Sequence, residues 1–443
     1  MSDRNSLDYL NLDNFDESID SRDYRRRRPD NRSSSYKAGS SYNKRRPNRR
    51  RRHRRRTRNR IIIVTSGLLI LVLFITMIAA IVNGCGKKTE PTVMSTETKP
   101  PVTATEAPTL PSQPSTTPAT TAPAPSGDKL STTVFNPPQI EDNGATGYDA
   151  GAIYVWNGAG FELFGGSEGS GQAYAETIND LAGKVPGVNV YSMVVPNHTE
   201  MGLPDRVKAD TYTNSQAANI KAAYAAMDTS KVKPINAYNY LSEHCNDYIY
   251  FKSDHHWTGL GAYYAYTAFA DTLGIPALSL DDCTEQTIDG FTGSFSSMAT
   301  LDTDTVSYWQ FPYNVTMDIT EEDGNQVHFD SPYYEAEESG PNSYGVFVYG
   351  DNPITLLQSS SPNAQQGKRI AVIKESYGNA FVAYLTNNYE EVHVLDMRSF
   401  RKASTDNLAT YCQNNGITDL LFINGIMSAN NQTLLDSTVA MFE

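Results

Sequence analysis

The chain has 443 residues, with 37 Lys and Arg against 50 Asp and Glu for a formal charge of −13, and only four cysteines. That length exceeds one minimal domain, and Cys85, Cys245, Cys283 and Cys412 make neither a disulfide framework nor a CxxC zinc pair. The net charge hides two opposite pieces: residues 1–60 carry 20 basic and 8 acidic side chains, and the remainder 17 and 42.

Residues 1–43, rich in Asp, Asn, Ser and Arg, cannot bury a core, and residues 1–60 as a whole are expected to be a disordered basic tail. The block Lys44–Arg60 has no interleaved aromatic platform for nucleic acid, so it is expected to grip an anionic membrane surface. Ile61 to Val82 is uncharged and nearly all apolar. Such a length of helix spans ~33 Å, enough for a hydrocarbon core of ~30 Å. The Arg-rich flank places the N-terminus in the cytoplasm and the bulk of the chain outside. A cleaved signal peptide fits poorly after 60 preceding residues, and Val82-Asn83-Gly84 is a poor lipidation context for Cys85.

Residues 83–129 are dominated by Thr, Pro, Ser and Ala and read as an extended stalk, reaching up to ~130 Å if fully drawn out. It suits the placing of a head within a cell-wall layer. That head, residues 130–443, is long enough for a substantial core. Ile153–Val155 and Phe161–Phe164 flank the hairpin signal Asn157-Gly158. A helix is expected over Gly171–Leu181, a strand over Val190–Pro196, and a helix over Ser215–Met227. A strand over Ile249–Lys252 and a helix over Thr258–Leu273 follow. The last quarter reads βαβαβ: strands Ile370–Lys374, Val392–Asp396 and Leu420–Ile423, with helices Asn379–Leu385 and Asp406–Asn414. This pattern predicts an α/β fold, a parallel sheet flanked by helices.

Ligand crevices in such sheets lie beyond the carboxyl ends of the strands. Ser376, Arg398 and Asn424 fall there, each after a separate strand. Singly they have ordinary explanations: a helix N-cap for Ser376, an ion pair with Asp396 for Arg398, a turn before Gly425 for Asn424. Asp254-His255-His256-Trp257 changes the balance, because a carboxylate two positions from an imidazole can fix its tautomer and stabilise it when protonated. Ser376 is then the candidate nucleophile, His256 the general base and Asp254 its orienting partner. Asn424 and the N–H of Ser376 or Tyr377 are candidate oxyanion donors, and Arg398 a substrate contact. His255 is the rival base, and Trp257 is expected to pack. A metal site from Asp254, His255, His256 and His198 fits poorly, since adjacent histidines rarely face one ion and no HxxxH spacing occurs. No cofactor is implied.

Asp254-His255-His256-Trp257-Thr258, followed by Gly261-Ala262-Tyr263, resembles the DHHW-type proteins of Gram-positive bacteria, which are similar to periplasmic alginate O-acetyltransferases. Phe291-Thr292-Gly293-Ser294-Phe295, Gly350-Asp351-Asn352-Pro353, Lys374-Glu375-Ser376-Tyr377, Asp396-Met397-Arg398 and Phe422-Ile423-Asn424 support the match, which covers residues 150–443. The resemblance implies an SGNH-hydrolase-like (flavodoxin-like) fold in circularly rearranged order, a Ser376–His256–Asp254 triad, and Asn424 at the oxyanion. It also implies action on extracellular glycans, often beside a membrane-bound O-acyltransferase that supplies acetyl. The family more often has Asp before the Ser, so Glu375 is given no role. An O-acyltransferase acting on cell-wall or exported polysaccharide is the leading expectation. The same triad would serve a glycan or peptidoglycan O-acetylesterase, and a non-catalytic glycan-binding protein is the third possibility. Whether Cys245, Cys283 or Cys412 pair stays open.

Overall fold

In the computed structural model, residues 129–334 and 343–443 are described. The expected tail, membrane span and all but the last residue of the expected stalk lie outside them. Among the described residues no helix is long and apolar enough to cross a membrane.

Thirteen strands are seen among the described residues. β1 (Tyr148–Asp149), β2 (Ile153–Trp156) and β3 (Ala159–Glu162) form a small antiparallel sheet. Its β2–β3 turn is built from Asn157 and Gly158, both at positive φ (49° and 75°), as an Asn-Gly hairpin requires. β4 (Asn189–Val195) and β5 (Val232–Pro234) come next, then an antiparallel ribbon of β6 (Thr284–Phe291) and β7 (Asp304–Gln310). β8 (Val315–Thr320), β9 (Gln326–Phe329), β10 (Ile354–Ser359), β11 (Gln365–Lys374), β12 (Tyr389–Asp396) and β13 (Asp419–Gly425) complete the set.

The main sheet runs β5-β4-β13-β11-β12-β10-β8-β9. Its first five strands are parallel and its last three antiparallel, so the sheet is mixed rather than wholly parallel. Numbered from β11, the parallel block has the spatial order 2-1-3-4-5 of flavodoxin-like sheets. The chain enters it at the fourth position, so β4 and β5 precede β11. The crevice where that order reverses lies between β11 and β13.

Successive residues of a strand face opposite sides, and β4 shows what each side meets. Tyr191 packs its ring on Phe269 of the helix Gly259–Leu273, whereas Ser192 bonds Tyr174 of the helix Glu168–Ala182. Helices therefore cover both faces. The central strands are apolar on both faces in consequence: Ile370 through Ile373 and Leu420 through Ile423 are fully buried. Each of these side chains other than that of Ala371 contributes about 1.5–3 kcal/mol. A lysine continuing that run, Lys374, needs strong local compensation.

One expected strand does not form. Ile249–Lys252 joins no sheet; Tyr250 makes a single antiparallel bridge to Trp257 as the chain turns back on itself. A short apolar run suits a buried strand or a buried loop equally, and here local partners satisfy its backbone. Phe251 N–H donates to the His256 carbonyl and Thr258 N–H to that of Ile249. The buried carboxylate of Asp304 accepts the N–H groups of Lys252 and Ser253, both at 2.8 Å.

Candidate active site

The turn between Tyr250 and Trp257 carries Asp254, His255 and His256 at its tip. Thr258 ends it by capping the helix Gly259–Leu273, its hydroxyl accepting the Gly261 N–H at 3.2 Å. Ser376 follows β11 in the turn before the helix Gly378–Val382. That helix has only five residues, so the dipole stabilisation expected for Ser376 is small.

The two segments meet through their side chains. His256 Nε2 lies 2.7 Å from Ser376 Oγ, and His256 Nδ1 lies 2.6 Å from Asp254 Oδ1. Asp254 also accepts the N–H of His256 at 3.0 Å and that of Ser294 at 2.8 Å. Burial opposes ionisation of Asp254, but the His255 and His256 rings and these hydrogen bonds outweigh it and hold its carboxyl well below the usual range. A neutral imidazole with Nδ1–H on Asp254 leaves Nε2 free to accept the serine proton. The Ser376 hydroxyl thus faces an imidazole rather than capping a helix.

Further bonds lace the segments together. The Trp257 indole donates to the Tyr377 carbonyl at 2.9 Å, and the Tyr377 hydroxyl to the His255 carbonyl. Trp257 is fully buried and packs, as expected. His255 turns the other way, its Nδ1 2.8 Å from Ser294 Oγ, and makes no hydrogen bond with Ser376.

A family model described as "DHHW protein" matches residues 128–395. The chain belongs to the DHHW family. No curated protein sequence matches it. Among solved structures, a DHHW family protein from Eubacterium siraeum is 29% identical with a TM-score of 0.58, covering 66% of this chain and 97% of its own. PatB1 from Bacillus cereus is 22% identical at a TM-score of 0.52, covering 64% and 98%. The same protein with a sulfonyl adduct is 20% identical at 0.53, covering 66% and 98%.

The family's Asp-His-His-Trp run thus supplies one half of the site and the turn after β11 the other. Asn424 and Arg398 lie beyond the span matched by the family model. Asn424, at the end of β13, is hydrogen-bonded through both amide atoms: its Oδ1 accepts the Tyr174 hydroxyl and its Nδ2 donates to Ser428 Oγ, both at 3.1 Å. Arg398 is not a free cation. Its guanidinium pairs with Asp396 at 2.7 Å and Asp351 at 2.6 Å, and Lys374 Nζ bonds the same two carboxylates at 3.0 and 2.8 Å. The expected ion pair with Asp396 is thus present. Tyr377 N–H is likewise taken, donating to Glu375 Oε2 at 3.1 Å.

Two contacts had no signal in the sequence. Tyr344 stacks on His256 and donates its hydroxyl to the Ser376 carbonyl at 3.2 Å. Glu375, buried at 4% exposure, accepts Gly425 N–H on Oε1 at 2.8 Å and contacts Ser376 Oγ through Oε2 at 3.3 Å.

Asp254, His255 and His256 also bring potential metal-ligand atoms within 4.8 Å of one another, the one such grouping among the described residues. Binding an ion through His256 would break its bond to Asp254 or to Ser376. His198 is elsewhere, between the rings of Phe161 and Tyr250.

Proposed function

We propose that this protein is an extracytoplasmic O-acyltransferase of SGNH-like fold that acetylates a cell-wall or exported polysaccharide through Ser376, His256 and Asp254. The observation that carries this is the continuous chain Asp254 Oδ1–His256 Nδ1, His256 Nε2–Ser376 Oγ, at 2.6 and 2.7 Å. The 2-1-3-4-5 strand order, with both segments at one sheet edge, supports it.

Ser376 Oγ attacks the donor's carbonyl carbon as its proton passes to His256 Nε2. Asp254 stabilises the imidazolium, which returns the proton to the departing group and leaves acetyl-Ser376. A sugar hydroxyl then gives its proton to His256 and attacks the ester, releasing the acetylated glycan and free serine. The Ser376 N–H and the second Asn424 Nδ2–H, the first being donated to Ser428, are the assigned oxyanion donors. The apolar segment 61–82 would anchor the head outside the cell, and the basic tail would hold the inner leaflet. A membrane-bound O-acyltransferase is the expected source of acetyl.

PatB1 carrying a sulfonyl adduct suggests the probe. Full-length protein treated with a sulfonyl fluoride is expected to be labelled at Ser376, and His256→Ala to abolish labelling. A chromogenic acetyl ester with oligosaccharide added should yield acetylated sugar. Release of free acetate alone would make the protein an esterase, and absence of any Ser376 adduct would remove the acyl-enzyme.

A further inference from the structure

Glu375 directly precedes the nucleophile in the chain, and it does three things at once. Its Oε2 accepts Tyr377 N–H in the nucleophile's own turn, and its Oε1 accepts Gly425 N–H in the turn after β13. One carboxylate therefore bridges the crevice between β11 and β13, where the strand order reverses. Oε2 also lies 3.3 Å from Ser376 Oγ. The hydroxyl has a single hydrogen and two acceptors, and the imidazole at 2.7 Å is the closer.

We propose that Glu375 is a positioning residue for the Ser376–His256 pair. It locks the nucleophile turn to the β13 turn and supplies a buried negative charge that favours the imidazolium formed when Ser376 is deprotonated. The inference rests on the acyl-transfer assignment above and deepens it. Other groups face His256 from each neighbouring element: Asp254 and His255 from its own turn, Tyr344 from the turn Ser343–Val346, and Ser376 and Tyr377 from the turn after β11. Among these, Asp254 is the other carboxylate, and its two oxygens are engaged on the Nδ1 side of the ring and by Ser294. Glu375 supplies negative charge on the Nε2 side, where the proton arrives. By holding the Tyr377 and Gly425 N–H groups, it also takes both out of the set of oxyanion donors.

The test is kcat and KM for full-length wild type, Glu375→Gln, Glu375→Asp and Glu375→Ala, using a chromogenic acetyl ester, with thermal unfolding in parallel. Glu375→Gln is expected to lower kcat about tenfold or more with KM within about twofold. Glu375→Asp, which keeps the charge, should recover part of that loss, and Glu375→Ala should not. Glu375→Gln with kcat near wild type, or Glu375→Asp no faster than Glu375→Gln, would overturn the proposal whether or not their Tm falls, because a merely structural residue changes Tm without splitting kcat from KM. Wild type that forms no sulfonyl adduct at Ser376 would instead overturn the acyl-transfer assignment, and this inference with it.

Discussion

Tyr344 lies flat against the imidazole of His256, ring centroids 4.0 Å apart and planes 10° from parallel. The same residue donates its hydroxyl to the Ser376 carbonyl, so one side chain supports both the base and the nucleophile turn. Tyr344→Phe keeps the stack and loses one hydrogen bond, so kcat/KM should fall no more than about fivefold. Tyr344→Ala frees the imidazole to rotate, and misplacing a reacting group by about 1 Å can cost on the order of 100-fold. Steady-state rates near wild type for Tyr344→Ala would remove it from the positioning set.

Gly293 has no room for a side chain. A Cβ there would stand 2.2 Å from Asp254 Cβ and 2.5 Å from Oδ2. Gly293→Ala should displace Asp254 from His256 and cost about 1–3 kcal/mol of stability through overpacking. Ester turnover should fall more than tenfold in protein that still unfolds cooperatively, a loss like that of a misoriented base. Urea unfolding and initial rates on the same preparation separate the two effects.

Lys374 is 1% exposed at its side chain, held by Asp351 and Asp396. Burial works against its charge and against that of Asp351, but the opposite charges prevail: Lys374 is pushed up and Asp351 held well below the usual carboxylate range. Replacing one partner strands the others, at about 3–5 kcal/mol for a buried pair. Lys374→Met should therefore shift the urea midpoint strongly. Lys374→Met with Asp351→Leu should recover part of the loss, since the intact network is not by itself a large net gain.

His198 governs a separate pH dependence. Burial pushes its imidazole down to about 3 from 6.5, and its Nδ1 has no hydrogen-bond partner. Between those values the unfolded chain binds a proton that the folded chain does not. Its contribution is therefore complete above about pH 6.5 and is lost as pH falls through that window. His198→Gln should flatten the fall in Tm between about pH 6.5 and 4.5. A slope unchanged from wild type would place the titrating group elsewhere.

Much of the frame was legible from local pattern. The Asn157-Gly158 hairpin follows from two residues that tolerate positive φ. Strands β11 and β13 read as uninterrupted apolar runs, and the helices flanking them as helical-period segments. The antiparallel edge β10-β8-β9 was not legible, because Val315–Thr320 and Ile354–Ser359 alternate like any half-exposed strand and carry no sign of their partner. Ile249–Lys252 misled for a related reason: its apolar side chains are buried, but its backbone is satisfied by the turn and by Asp304, 52 positions on from Lys252.

The sequence by itself determined which chemistry-bearing residues the chain owns and that Ser376, Arg398 and Asn424 lie at or just past the ends of separate strands, because periodicity and turn residues act over short distances. Only the tertiary structure decided their duties. It brought Ser376 to His256 across 120 positions, paired Arg398 with Asp351 as well as Asp396, gave Asn424 the partners Tyr174 and Ser428, and set Tyr344 and Glu375 against the reacting pair. The reason is geometric: hydrogen bonds and ion pairs form at about 3 Å, and separation along the chain says almost nothing about separation in space.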